Sequence, residues 1–143
     1  MLHLEVSPEM ILPMVKQTPF LVFAYLAKLS NFPIFDSYLE VFLEGEISLN
    51  MVDVVSKIIK AVRIPPPFII SFTSSMIKKV IAEKPSNERD KLARYVIGFI
   101  KNLNKMKVIN LLEIQDKLAQ FMEEFKTLHE VNELKQIRNA MAK

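Results

Sequence analysis

The chain has 143 residues, 50% of them hydrophobic and 24% charged, a length and balance typical of one globular domain with a buried core rather than of a disordered chain. It contains no cysteine, which excludes disulfides and cysteine-ligated zinc and favours an intracellular setting. It contains only two glycines, which argues against a turn-rich β or α/β fold. The net charge of +3 is unevenly distributed, because residues 51–110 hold twelve basic and four acidic groups.

The first half of the chain is predicted to hold four helices, because proline and serine start signals precede apolar residues at helical spacing. We predict helices over residues 8–17 and 19–29. Residues 20–27 are apolar without interruption, so this second helix is expected to lie buried at the centre of the fold, and it is too short to cross a membrane. A third helix is predicted over 33–44, ending at a glycine. A fourth, which follows a serine cap, has an apolar stripe formed by Val52, Val55, Ile59 and Val62.

The second half begins with three prolines, residues 65–67, which we expect to form an extended link at a corner of the fold because proline cannot sit inside a helix. A fifth helix then covers about 67–83, and a sixth is capped by Ser86. The inward side of the sixth helix is predicted to comprise Leu92, Val96, Phe99 and Leu103, and its solvent side Arg89, Lys91, Lys101 and Lys105. Glycine is unfavourable in a helix interior, so Gly98 suggests a close helix crossing.

Asn110 caps the most regular helix, whose apolar residues repeat at steps of three and four from Leu111 to Leu128. Residues 130–143 form a weaker final segment. Together these segments predict an all-α fold of about seven helices in one domain over residues 1–143. The pattern allows either a compact irregular bundle or an α-solenoid-like stack of helix pairs.

The side chains that catalysis needs are scarce. The only histidines, His3 and His129, have no converging partners in the sequence. The adjacent glutamates 123–124 point about 100° apart on a helix, and Asp36 with Glu40 lacks a third oxygen ligand for a cation. Hydroxyl groups without a nearby base, which we expect to bond to the preceding turn or to line a close helix contact, are those of Ser71, Thr73, Ser74 and Ser75. We therefore predict no enzyme, no metal site and no cofactor.

The strongest surface signal is the basic middle of the chain. The predicted partner-binding residues are Lys78, Lys79, Arg89, Arg94, Lys101, Lys105 and Lys107. Such a set could bind an acidic peptide or, through counterion release, RNA. The aromatic residues that RNA would need for stacking follow the apolar stripes instead and are expected in the core, as with Phe68, Phe72 and Phe99. Docking of protein partners is therefore favoured, and RNA binding by residues 78–107 is the alternative.

An ordered set of short sequences extends from Leu12 to about Ile137. It comprises Leu12-Pro13, Thr18-Pro19, Ser48-Leu49 through Val54-Val55, Ala61-Val62, Ile64-Pro65-Pro66-Pro67-Phe68-Ile69, Arg94-Tyr95-Val96, Phe99, Leu103, Lys107-Val108-Ile109-Asn110 and Phe121-Met122-Glu123-Glu124-Phe125. In order and spacing this set resembles the C-terminal helical domain of subunit eleven of the CCR/NOT complex, the mRNA deadenylase. The family commonly has an acidic residue where this chain has Pro67.

The resemblance implies a non-catalytic scaffold subunit that serves mRNA deadenylation, mRNA decay and translational control. We expect it in the cytoplasm, with the nucleus left open as a second location. Family members present this domain as a docking surface for regulatory proteins and join other complex subunits through an N-terminal region that this chain lacks. The chain is therefore expected to be the C-terminal domain of a longer protein, with no cofactor and no membrane contact.

Overall fold

A computed structural model describes residues 8–45, 47–107 and 111–141, and in these ranges the chain forms eight α-helices and one short 3-10 turn. The all-α prediction is confirmed, and the predicted count of about seven helices is close. The chain divides into two compact units between Ile64 and Pro65. The expectation of one domain over the whole chain stays a prediction.

The N-terminal unit contains four helices, α1 (Pro8–Gln17), α2 (Pro19–Leu29), α3 (Phe35–Glu44) and α4 (Leu49–Ala61). Helix α1 packs against the other three, and α2 packs most extensively against α4. The predicted serine cap of α4 is confirmed, because the backbone N–H of Met51 donates to Ser48 Oγ at 3.1 Å. The buried side chains at the centre of this unit include Ile11, Val15, Val22, Leu26, Phe42, Val55 and Ile58.

Helix α3 ends at Gly45 without a left-handed turn and beside Leu12 of α1. Gly45 follows the helix with φ −78° and ψ 165°, a backbone conformation open to any residue. A Cβ atom added at Gly45 would collide with the methyl groups of Leu12 in α1. A glycine therefore allows α1 to approach the end of α3 closely.

The C-terminal unit contains α5 (Pro66–Ala82), α6 (Asn87–Met106), the 3-10 turn Leu111–Ile114, α7 (Gln115–Glu124) and α8 (Val131–Met141). Helix α5 packs against α6 and α7, and α8 packs against α6 and α7. The rings of Phe72 and Phe99 meet edge to face with their centroids 5.6 Å apart, and Phe68 lies 5.9 Å from Phe72. Phe72 and Phe99 are buried as predicted, whereas Phe68 is half-buried.

The proline corner differs from the prediction in the residue at which α5 begins. The extended link ends at Pro65, which has φ −59° and ψ 130°, and Pro66 is already the first residue of α5. Pro66 and Pro67 are accommodated because the first N–H groups of a helix need no intrahelical acceptor, so a proline there loses no hydrogen bond. The predicted start at about Pro67 is therefore one residue late, and of the three prolines only Pro65 lies in the extended link.

The long regular helix predicted from Leu111 to Leu128 is also corrected, because α7 ends at Glu124. The N–H of Leu128 bonds to the carbonyl of Phe125, and that of Val131 to Leu128, both across three residues. Buried residues recur every third position between α7 and the start of α8, at 125, 128 and 131, which is the period of a 3-10 turn rather than of an α-helix. The predicted cap Asn110 lies outside the described residues.

Candidate partner-binding surfaces

The seven basic residues predicted to bind a partner lie on the second half of α5 and along α6. Lys78 is exposed, whereas Lys79 beside it is half-buried, and burial lowers the pKa of its ammonium group. The other five are Arg89, Arg94, Lys101, Lys105 and Lys107, of which the last caps the end of α6 with φ 55°. The structure keeps most of this set on the surface but not all of it.

Arg89 is turned into the core, so the prediction that it faces water was wrong. Only 7% of the residue is exposed. Its guanidinium donates to the carbonyls of Val80 and Ile81 at 3.2 Å each, pairs with Glu124 at 2.5 Å, and lies 4.5 Å from the ring centre of Phe125. Arg89 therefore ties α6 to the end of α5 and to α7, and we leave it out of the candidate surface.

The remaining basic residues of α6 share one side of the helix with an exposed tyrosine and a glycine. We call this side the basic face of α6, and it consists of Lys91, Arg94, Tyr95, Gly98, Lys101 and Lys105. At 100° per residue these six positions fall within an arc of about 120°. Such an arrangement concentrates positive charge along the length of the helix.

Two of the four cations on the basic face are engaged by carboxylates of the same unit. Arg94 Nε lies 3.3 Å from Glu130 Oε1, and Lys101 pairs with Glu133 of α8. The four side chains that form these two ion pairs are between 36% and 50% exposed, so each pair contributes little to stability. Lys91 and Lys105 have no ion-pair partner among the described residues.

The carboxyl of Glu130 is held in its charged form. A hydrogen bond from its own backbone N–H contributes most to a pKa below the usual range. Desolvation opposes this shift, and the nearby charge of Arg94 and its hydrogen bond lower the pKa further. Near neutral pH this carboxylate is therefore a fixed negative charge beside the basic face of α6.

Gly98 does not mark a close helix crossing, so that prediction was wrong. A Cβ atom added at this position would meet no heavy atom within 4 Å. The glycine lies in the interior of α6 with helical geometry, so no turn requires it. It leaves a notch of bare backbone in the middle of the basic face.

Replacing Gly98 with alanine should therefore stabilise the protein. Alanine fits the open space and removes the backbone entropy cost of glycine, so we expect the free energy of unfolding to rise by about 0.5–1 kcal/mol. Urea unfolding followed by circular dichroism would measure it. A loss of stability would mean that a neighbouring group packs on the glycine.

A second surface lies on α2, where the predicted burial is wrong. Phe20 is 70% exposed and Leu21 57% exposed, and in this helix only Val22 and Leu26 are buried. Phe20, Leu21, Ala24 and Lys28 fall within about 100° of the helix circumference. We call these four residues the apolar face of α2.

The turn between α2 and α3 exposes two further large apolar side chains. Phe32 is 58% exposed and Ile34 51% exposed, and i to i+3 backbone hydrogen bonds from Phe32 to Ser37 hold this segment in a tight turn. The turn lies beyond the opposite end of α2 from Phe20. It provides the same residue types as the apolar face in a different place.

A groove of about 480 Å³ separates α1 from the start of α4. Its lining residues are Leu12, Pro13, Val15, Lys16, Gln17, Ser48 and Met51. Lys16 is the one ionisable residue among them. The groove therefore lacks the converging acids and bases that a catalytic site needs.

The residues weighed for catalysis are not brought together in the structure. His129, Asp36 and Glu40 are all exposed, and His3 lies outside the described residues. Thr73 donates its hydroxyl proton to the carbonyl of Ile69 at 2.7 Å, which confirms the predicted bond to the preceding turn. Among the described residues, no three carboxylates or histidines are grouped so that they could hold a metal.

The described part of the chain also has no helix that combines the length and the hydrophobicity needed to span a membrane. The fold and its surfaces thus define an all-helical protein whose distinctive features are one apolar and one basic helix face. A family model described as CCR4-NOT transcription complex subunit 11 matches residues 15–138. The chain belongs to this family, as the sequence resemblance predicted.

Proposed function

We propose that this chain is a non-catalytic docking domain that brings regulatory proteins to the CCR4-NOT complex for mRNA deadenylation and translational control, in the cytoplasm. Membership of a family of complex subunits supports the setting. The single observation that carries the docking role is the apolar face of α2. An aromatic and an aliphatic side chain stand side by side in solvent there, although the same unit buries other side chains of both types.

The energetics favour a protein partner for this face. Full burial of a phenylalanine or leucine side chain contributes about 1.5–3 kcal/mol, so covering Phe20 and Leu21 could supply a large part of a moderate affinity. Aromatic residues that fill a partner's pocket are typical centres of binding energy. Exposed apolar side chains that are contiguous, unlike single ones, are typical of an interaction site.

The occupant we propose is an amphipathic helix of a regulatory protein. The apolar face of α2 is a narrow stripe along one helix, which matches the stripe of an amphipathic helix laid beside it. Lys28 is exposed at the far end of the stripe and can meet a carboxylate on the polar border of such a helix. This charge sets the direction in which the partner helix binds.

RNA is the less favoured ligand. The predicted basic set loses Arg89 to the core, and two other members pair with glutamates. Phe72 and Phe99, which could have stacked on bases, are buried. Among the residues that the structure describes, the exposed side chains do not combine a continuous positive groove with a row of aromatic rings.

Affinity capture with matched variants tests the proposal. The full chain, the double variant Phe20→Ser/Leu21→Ser and the control Phe32→Ser/Ile34→Ser would each be immobilised, and bound proteins identified by mass spectrometry. The control changes a similar pair of exposed residues at the turn after α2. We expect regulators of mRNA decay or translation to bind the chain and the control, and to be lost from the double variant.

Two results would contradict the proposal. One is an identical set of proteins on the chain and on the double variant, which would mean that the apolar face of α2 does not select partners. The other is recovery of RNA that persists at about 0.2 M salt with no protein enriched, since phosphate contacts alone weaken steeply with salt.

A further inference from the structure

The basic face of α6 has features that its own fold does not use. In the described part of the chain, no heavy atom beyond the adjoining backbone of α6 lies within 4 Å of the position that a Cβ atom would occupy at Gly98, and Tyr95 beside it is 44% exposed. Lys91 and Lys105 have no ion-pair partner among the described residues. A glycine inside a helix destabilises that helix. Because no contact within the described chain explains Gly98, its bare backbone suggests a contact with another molecule.

We propose that this face is a second docking site, which binds an acidic helical segment of a partner protein with the partner's backbone seated over Gly98. The inference rests on the proposed docking function and adds a separate surface and a chemical class of partner. Absence of a side chain at Gly98 lets two helices approach closely, as small residues do at tight helix contacts. Carboxylates of the partner then reach Lys91 on one side and Lys105 on the other.

The spacing along α6 defines what the partner must look like. Gly98 is seven residues from Lys91 and seven from Lys105, so each lysine lies about 10 Å from the notch along the helix axis. A matching segment therefore carries a small residue near its middle and carboxylates about 21 Å apart. An aromatic or aliphatic side chain next to the small residue can pack on the exposed ring of Tyr95.

The charges around the face favour discrete carboxylates over a nucleic-acid backbone. Glu130 and Glu133 stand beside Arg94 and Lys101 as two negative charges on the border of the face. A phosphate backbone running along α6 would pass these two negative charges. A helical peptide can place its acids at the two ends of the face and avoid them.

The test uses the full chain and a displayed library of proteome-derived peptides of about 16 residues, long enough to span the face as a helix. Selected peptides would be titrated against the chain and against the variants Gly98→Leu and Lys105→Glu. The control is Lys135→Glu, an exposed lysine on α8 that lies about 200° around that helix from Glu133. Leucine is a good helix former and meets open space, so the melting temperature of Gly98→Leu should not fall.

We expect the selected peptides to be acidic, with affinity at least tenfold weaker for Gly98→Leu and about tenfold weaker for Lys105→Glu. The control should bind within twofold of the unaltered chain. Peptides without acidic residues, or affinities unchanged by Gly98→Leu, would overturn the inference. So would a uridine oligonucleotide that binds more tightly than any peptide and loses that affinity in the same two variants.

The two proposals can fail separately. If selected peptides bind and depend on Phe20 and Leu21 but not on Gly98, the docking function stands and the site on α6 is refuted. If peptides depend on Gly98 and Lys105 while the capture experiment shows no role for the apolar face of α2, the site on α6 stands and the face chosen for the proposed function is wrong.

Discussion

Replacing Arg89 with alanine should lower the free energy of unfolding by about 2–4 kcal/mol. The guanidinium is almost fully buried and makes hydrogen bonds to the carbonyls of Val80 and Ile81. Its removal leaves buried carbonyl oxygens with fewer donors, takes away the partner of Glu124, and opens a gap against the ring of Phe125. Losing these interactions costs more free energy in the protein interior than the same loss would cost at the surface.

Arg94→Ala is the matched control for this prediction. It changes the same residue type on the same helix, but its pair with Glu130 is exposed, so we expect a loss within about 1 kcal/mol. Urea unfolding followed by far-ultraviolet circular dichroism would compare the two variants at equal protein concentration. Equal losses would show that Arg89 is not held inside the C-terminal unit.

Two phenylalanines of the N-terminal unit should respond very differently to truncation. Phe42 on α3 is fully buried, so Phe42→Ala leaves a cavity and should cost about 3–5 kcal/mol. Phe20 is mostly in solvent, so Phe20→Ala should change stability by about 0.5 kcal/mol or less. The chemical change is identical in the two variants, and only the surroundings differ.

Thermal and urea unfolding of both variants would measure this difference. A large loss for Phe20→Ala would restore the view that α2 is buried on all sides, and it would remove the apolar face on which the docking role depends. A small loss for Phe42→Ala would mean that the core of this unit is loosely packed and that exposure there says little about binding.

Helix positions were predictable from the sequence because local signals decide them. Proline at the starts of α1 and α2 has no N–H group that would need an acceptor, and serine before α4 and α6 caps such a group with its hydroxyl. These four helix starts lie where they were expected. The tight turns after α7 were missed because no glycine or proline marks them. Their signal was the apolar period of three from Phe125 onward.

Which side of a helix faces solvent was harder to predict, and the reason differs between α6 and α2. Arg89 lies on the buried stripe of α6, four residues before Ala93 and seven before Val96, so its spacing indicated burial although its charge suggested exposure. In α2 nearly every position is apolar, so the sequence pattern does not indicate which side of the helix is buried. The same pattern is expected whether the fold covers every side or leaves one side for another protein.

The most direct test of the docking role is calorimetric titration of a purified captured partner into the full chain and into Phe20→Ser/Leu21→Ser. We expect binding with a clearly negative heat-capacity change, as burial of apolar surface requires. In the double variant the dissociation constant should be about a hundredfold higher, because two apolar anchors are lost, and the heat-capacity change should be smaller. An unchanged dissociation constant with an unchanged heat-capacity change would show that the apolar face of α2 is not the docking site.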